Sequence, residues 1–567
     1  MRGKRQPPRR RTKVKYPRFS QPKTRLEGKP RSILLTVGGA ALLVIGGAIA
    51  FGLLRGQGGD GKAFGPMALL PQDTLFAATV STDSSQWKQL ATLGTPQSQK
   101  SWQTQLKALE TAALAKGLSY EENIAPWVGD RITMAFLPPS ETSAADFEQQ
   151  ATVWVLPMRS SGRAKKLFIE QLATPANQAK QRTHQGVDIQ EFQLQDQRFA
   201  IAMPDNSRLI VTTAGAPINQ VIDTLKGKPS VAQSPRFSEA MGEIGGGSPL
   251  AQIYVNMPIA TAQMAAGSNQ PISEASLERI QEIRGLGSTV TLDDDTLNFK
   301  TISWLDPKAK HPNVVKNQAG GIAKRLPANT LMMASGGNFQ ELWQSFAKGT
   351  PAKLLVPFNP KSWGDSFNDL TGLDFNTTFV PWLDSKFAGA IVPAKDDSTT
   401  EIGLVMLAET SDRAAALQAF KLLDDSVREK REFQISESKT KDASIITWRI
   451  PPGLPVISHG WLGDKISFVT LGAPVPVSKR LVDAKSSLQD AAPFQAATKS
   501  DLSSHDGQFY VNMSAMLKVM DTNPLFPKLA PDIQQYAQGI ETLGITSAIS
   551  SPWSNRYDIR VKLKKAE

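Results

Sequence analysis

The chain contains no cysteine and only four histidines. Without cysteine there can be no disulfide, thiolate nucleophile, Cys-ligated zinc, iron–sulfur cluster or lipid-bearing lipoprotein cysteine. Such a chain is compatible with an oxidising compartment. His184, His311, His459 and His505 show no metal-ligand spacing and no HExxH pattern, and His505 lies in a Ser-Ser-His-Asp-Gly turn. All four are expected at the surface.

A charge imbalance is missing from most of the chain as well. There are 64 Lys and Arg against 52 Asp and Glu, a net +12. Thirteen of the basic residues and one acid, Glu27, fall within residues 1–31, which leaves 51 of each sign in residues 32–567. The excess therefore belongs to a tail, and nucleic-acid binding by the remainder has no electrostatic support.

What the chain does have is an uncharged run from Ser32 to Leu54. Its 23 residues would span ~34 Å as a helix, enough for a ~30 Å hydrocarbon core. Thirteen positive charges precede it, and only Arg55 and Lys62 follow closely, so the positive-inside bias places the N-terminus in the cytoplasm. A signal peptide cleaved after Ala48-Ile49-Ala50 is the rival reading. Against it, Phe51, Leu53 and Leu54 carry the apolar run past that site. Gly46 and Ala50 have the small-xxx-small spacing of a helix-pairing face, the basis for a homodimer through the membrane. The expected organisation is a disordered basic cytoplasmic tail over 1–31, a transmembrane helix over 32–54, a Gly-rich linker over 55–66 and a second linker over 307–321. The tail and the helix would be the contacts with membrane lipid.

Comparison of the chain with itself reveals a duplication. Leu70-Pro71 with Thr74-Leu75 recurs as Leu326-Pro327 with Thr330-Leu331, and Trp87 recurs as Trp343, both at a spacing of 256. Pro126-Trp127 recurs as Pro381-Trp382, Gly215-Ala216-Pro217 as Gly472-Ala473-Pro474, Tyr254-Val255-Asn256-Met257 as Tyr510-Val511-Asn512-Met513, and Leu286-Gly287 as Leu543-Gly544. The copies span 67–306 and 322–567, each long enough to fold alone. Strands are expected over 75–80, 132–137, 152–157, 189–194, 198–203, 209–213, 252–257, 288–292 and 297–304. Helices are expected over 84–93, 102–116, 163–172, 217–225 and 274–283, with N-caps at Ser84 and Ser273. Acidic turns at Asp293-Asp294-Asp295 and Asp396-Asp397 imply antiparallel pairing. The fold class expected is α+β: a single N-terminal transmembrane helix followed by two tandem homologous modules with largely antiparallel sheets and packed helices.

A basic tail, one apolar span and LPxxT-type starts of a tandem ectodomain resemble an uncharacterised family of cyanobacterial single-pass membrane-anchored proteins, catalogued as a domain of unknown function. The resemblance implies a plasma or thylakoid membrane location with the modules in the periplasm or lumen. It brings no activity and no functional residues.

No chemistry emerges from the motifs. Gly56 to Lys62 matches the start of a phosphate-binding loop, but Ala63 stands where Ser or Thr must reach magnesium. Gly245 to Ser248 lacks the Gly-x-Ser-x-Gly elbow, and the Asp293 triplet lacks calcium-loop spacing. Trp127, Trp382, Tyr254 and Tyr510 read as core aromatics. No catalytic, cofactor-binding or metal residue is assigned, and no cofactor is expected. The leading expectation is a membrane-anchored extracytoplasmic binding or scaffolding protein with a protein partner in the periplasm or lumen. A carboxylate-dependent envelope hydrolase and a lipid or apolar-ligand carrier are the alternatives.

Overall fold

The computed structural model describes residues 65–113, 119–138, 151–194, 197–213, 216–267, 280–347, 360–395, 401–439, 444–450, 453–483, 486–523, 526 and 528–565. The expected tail and membrane helix, Gly46 and Ala50, Ser273 and the Asp396-Asp397 turn all lie outside the described residues. Among the described residues no helix is long and apolar enough to cross a membrane.

Among the described residues, runs rich in Val, Ile, Thr and aromatic residues, punctuated by turns, form ten strands in each half. The first half holds β1 (Phe76–Ser81), β2 (Arg131–Leu137), β3 (Ala151–Pro157), β4 (Lys180–His184), β5 (Val187–Leu194), β6 (Gln197–Asp205), β7 (Arg208–Thr213), β8 (Ala251–Asn256), β9 (Ile283–Asp293) and β10 (Thr296–Leu305). The second holds β11 (Met332–Gly336), β12 (Phe387–Pro393), β13 (Ile402–Glu409), β14 (Gln434–Lys439), β15 (Ser444–Ile450), β16 (Leu454–Leu462), β17 (Ile466–Leu471), β18 (Gly507–Asn512), β19 (Ile540–Ser551) and β20 (Ser554–Leu563). Across the first half the pairing order is β4-β5-β6-β7-β3-β2-β1-β8-β9-β10. It continues through β20 as β20-β19-β18-β11-β12-β13-β17-β16-β15-β14. Among the described residues every neighbour is antiparallel, and the strands form one twenty-stranded sheet.

The expected fold class is thereby corrected. The described residues do not form two separate modules; they form one antiparallel sheet with helices packed on it, and none of those helices is a membrane span. The physical reason lies at β10 and β20. Each is the last strand of its half and would leave a row of unpaired backbone groups at an edge. Their pairing, from Thr296 opposite Lys562 to Trp304 opposite Ser554, removes both edges at once. The two halves are related by an approximate two-fold axis in the sheet. Matching the β9–β10 and β19–β20 hairpins aligns Lys300 with Asp558, and these two residues face each other across the seam. An axis through two identical halves would set like charges opposite one another, which destabilises a strand pair. The divergence of this one position gives opposite charges.

The two faces of the sheet follow from the side-chain alternation along each strand. On one face a single core crosses the seam, in which Leu297 and Phe299 pack with Ile559 and Val561. On the opposite face the halves keep separate cores, one around Tyr254 and Trp304 and one around Tyr510 and Phe468. Between them lies a charged seam. Arg556 and Asp558 are each 6% exposed and joined Nε to Oδ1 at 3.0 Å. Asp501 pairs with Arg556 and accepts from Lys300 Nζ at 2.7 Å.

Structure also explains the repeated motifs. Thr74 and Thr330 each donate their hydroxyl to the carbonyl of Pro71 or Pro327 at 2.7 Å, closing the same turn twice. Gly287 and Gly544 let a helix approach the sheet closely: a Cβ there would run into the Met241 sulfur or the Ala497 carbonyl. Trp127, Trp382, Tyr254 and Tyr510 are buried, as expected. Asp294-Asp295 forms the β9–β10 turn. The helix cap expected at Ser84 belongs one residue earlier, where the Asp83 carboxylate accepts from Ser85 N at 2.9 Å. A charged acceptor outcompetes a hydroxyl for the orphan N–H groups. Within 307–321, Asn317 exchanges two hydrogen bonds with the Ile549 backbone, at 3.0 and 2.9 Å, so this connection is docked on the β19–β20 hairpin.

Candidate functional site

A short 3-10 turn, Ile322–Arg325, opens the second half. Gly321 precedes it at φ +88°, a conformation that glycine adopts without steric cost. The turn buries Ile322 and Ala323 in the core, which leaves Lys324 and Arg325 exposed. Beside it, Lys386 leads into β12 and Glu409 ends β13. The Glu409 N–H donates to the Lys386 carbonyl at 2.7 Å, and their side chains pair at 3.6 Å. The β16–β17 turn, Gly463-Asp464-Lys465, supplies a further wall and is tied down by Thr410 N donating to Lys465 O at 3.1 Å. Together these segments enclose an open cleft of about 640 Å³ whose apolar lining comes from Ile322, Leu462 and Ile466.

Four cations line the cleft, Lys324, Arg325, Lys386 and Lys465, against two acids, Glu409 and Asp464. Glu409 is engaged by Lys386. Asp464 is engaged from outside the cleft by Arg413, which bonds it at 3.1 Å and stacks over Trp461 at 4.5 Å. Among the described residues no ion pair is formed by Lys324, Arg325 or Lys465. Gly320, on the cleft edge, backs onto His505, whose pKa burial lowers. Burial raises the neighbouring Asp506 carboxyl, and the charge of Glu341 adds to that rise.

The duplication makes the first half an internal comparison for the second. At a spacing of 256 residues Lys324 and Arg325 correspond to Ala68 and Leu69. The β6–β7 turn holds Asn206-Ser207 where β16–β17 holds Gly463-Asp464-Lys465. Only Lys386 has a basic counterpart, Arg131, whose pKa is lowered by burial and supported by the charge of Asp130. A second difference lies on the sheet itself. Leu404 and Leu471 face each other across β13 and β17 at 45% and 47% exposed, with Met406 beside them at 41%. The register places Thr152 and Thr213 at the corresponding points of β3 and β7, where the Thr152 N–H donates to the Thr213 hydroxyl at 2.9 Å.

The histidines are not uniformly at the surface. His459 is 3% exposed, with Nε2 at 2.9 Å from Asp424 Oδ1 and Phe420 stacked on its ring at 4.6 Å. The same oxygen accepts from Trp448 Nε1 at 2.7 Å. Alternation along β16 turns His459 inward beneath the helix Arg413–Arg431 that carries Asp424, a pairing invisible in the spacing. His184 pairs with Asp223 at 2.6 Å. A hydrogen bond from Lys228 and then one from His184 hold the Asp223 carboxyl below the usual range. His311 meets Glu282 at the surface. Asp501 and Asp558 converge on Arg556 as ion-pair partners. Among the described residues no group of His, Asp and Glu could hold a metal ion.

Motif reading missed Lys324, Arg325, Lys386 and Lys465, because four cations from three separated segments form no pattern. The available signal was the pair of positions where Ala68-Leu69 becomes Lys324-Arg325.

A family described as "Protein of unknown function (DUF3352)" matches residues 36–563. No curated protein matches the sequence. Among solved structures, "Structure of crystal form I of TP0453" is similar at 10% identity and a TM-score of 0.24, covering 43% of this chain and 80% of that one. "Structure of crystal form III of TP0453" is similar at 8% identity and the same TM-score and coverage. A likeness that weak carries no argument about function.

Proposed function

We propose that this chain, which belongs to the DUF3352 family and takes no activity from it, is an extracytoplasmic binding or scaffolding protein held at a membrane by residues 32–54. The observation that supports binding is the divergence between matched halves: both the cationic cleft and the exposed Leu404–Met406–Leu471 strip are particular to the second half. Shared scaffold with one-sided surface change is the pattern expected when one copy keeps the fold and the other acquires a partner. Three adjacent aliphatic side chains exposed on a sheet face mark an interaction surface where a threonine pair would suffice for solubility. A partner protein with an aliphatic contact of its own, in the periplasm or lumen, fits this surface. An apolar carrier would need an enclosed apolar cavity, and the cleft is lined largely by charge.

The test is purification of tagged full-length protein from gently solubilised membranes, in parallel with L404T/L471T, which installs the first half's chemistry. A partner that co-purifies with the wild type and is lost from a normally folded variant supports the reading. Recovery of the protein alone, combined with one Asp or Glu substitution that abolishes the cellular phenotype without unfolding the chain, overturns it in favour of a hydrolase.

The membrane placement rests on the charge bias before Ser32 and on the likeness to cyanobacterial membrane-anchored proteins noted from the sequence. A reporter active only outside the cytoplasm, fused after Glu567, is expected to be active. Silence of that fusion, with activity of a cytoplasmic reporter at the same point, reverses the orientation.

A further inference from the structure

The cleft of the second half makes a more specific statement about what is bound, one that rests on the binding reading above. We propose that it is a site for a phosphate-bearing ligand carrying about two negative charges. Four cations stand against two acids, an excess of two positive charges in a concave site of about 640 Å³. Lys386 engages Glu409, and Arg413, a fifth cation outside the lining, engages Asp464, so with Arg413 counted three cations, Lys324, Arg325 and Lys465, are left to a ligand. Cations of one sign gathered in a concave site raise the local concentration of counter-ions. A single carboxylate would neutralise only one of the three. A phosphate monoester or diphosphate offers two charges and several acceptor oxygens, to which an arginine fork and two point-charge lysines are suited. Ile322, Leu462 and Ile466 supply an apolar floor for the ester's organic part. The volume exceeds that of a bare phosphate and suits a ligand of headgroup or nucleotide size.

The first half shows that the fold does not require these charges. Ala68, Leu69 and Ser207 occupy the matching places. Lys324, Arg325 and Lys465 are exposed, and what their backbone contributes, such as the Lys465 carbonyl that accepts from Thr410 N, does not depend on the charge of the side chain. Their charge is therefore available to a ligand.

The test uses the full-length protein in phosphatidylcholine nanodiscs, titrated with inorganic pyrophosphate. The basic tail is common to all variants, so differences between them report the cleft. K324A/R325L/K465S, which copies the first half, is expected to bind pyrophosphate about tenfold or more weakly. E409Q removes the acid that engages Lys386 and is expected to bind it several-fold more tightly, a change that unfolding cannot produce. Repeating the titration in phosphatidylglycerol discs separates the two sources of this chemistry. A lipid headgroup that already fills the cleft erases the wild-type advantage over the triple variant, whereas a soluble phosphate ester leaves it intact. Equal pyrophosphate binding by wild type, triple variant and E409Q in phosphatidylcholine overturns the proposal. That result leaves the partner surface at Leu404 and Leu471 to its own test.

Discussion

Residues 65–306 produced without the second half are expected to form dimers or aggregates, although about 240 residues are ample for an independent core. The length of the fragment is not what decides its fate. In the whole chain β10 is an interior strand, paired over nine residues with β20, and Leu297 and Phe299 on one of its faces pack against Ile559 and Val561. The fragment exposes that row of backbone donors and acceptors together with the apolar side chains beside it. Such an edge recruits another strand. The nearest suitable strand is β10 of a second fragment, placed about a true two-fold axis. Lys300 would then face Lys300, so the assembly should tighten as salt rises and screens the repulsion. Size-exclusion chromatography with light scattering reads the outcome directly. A monodisperse monomer that unfolds cooperatively at the temperature of the full chain would show that the seam is dispensable.

Arg556→Ala is expected to be the most destabilising single substitution in the seam, by about 3–5 kcal/mol, because it leaves a buried carboxylate without its partner. Asp558 is 6% exposed and relies on the guanidinium at 3.0 Å. R556L/D558L removes both charges and should recover much of the loss, since a buried pair often stabilises little more than the apolar groups that replace it. Denaturant unfolding of the wild type, R556L, D558L and R556L/D558L gives the coupling. A loss below about 1 kcal/mol for R556A would mean that water reaches Asp558.

Acidification should narrow the gap between R556A and the wild type. Burial alone would raise the Asp501 carboxyl, but the hydrogen bond from Lys300 and the charges of Arg556 and Lys300 outweigh it and hold the group below its usual range. A depressed folded pKa gives stability that is fully present above the unfolded value of about 3.9 and is lost as pH falls through the folded value. The part of the deficit that runs through Asp501 is therefore largest at neutral pH and shrinks below about pH 4.

Much of the local structure could be read from the residues. Expected strands at 132–137, 152–157 and 209–213 are β2, β3 and β7, shifted by one residue at the start. Each is short, rich in β-branched or aromatic residues and bounded by turns, so local preference and tertiary context agree. The buried pairs Trp127 and Trp382, Tyr254 and Tyr510 were legible because a large aromatic kept through a duplication is most simply a core plug. Contacts between distant segments were not legible. His459 looked like a surface residue because its partner Asp424 lies 35 residues away on a helix. The basic cleft draws on three segments, near 324, 386 and 465, none of which carries a motif.

The sequence by itself determined the charge-neutral body behind a basic tail, the apolar run 32–54, the duplication at a spacing of about 256, the positions of most first-half strands and the core aromatics repeated in both halves. These are properties of composition and of short-range periodicity, which act within a few residues. Only the tertiary structure decided that the duplicated halves share one sheet, that opposite charges meet on its axis, and that four scattered cations gather in one cleft. A repeat in sequence states that two segments fold alike, but it is silent on how their edges meet. That is settled by whether unpaired backbone at β10 finds a better partner in β20 than in water, and by apolar side chains that can be buried only when the two strands lie together.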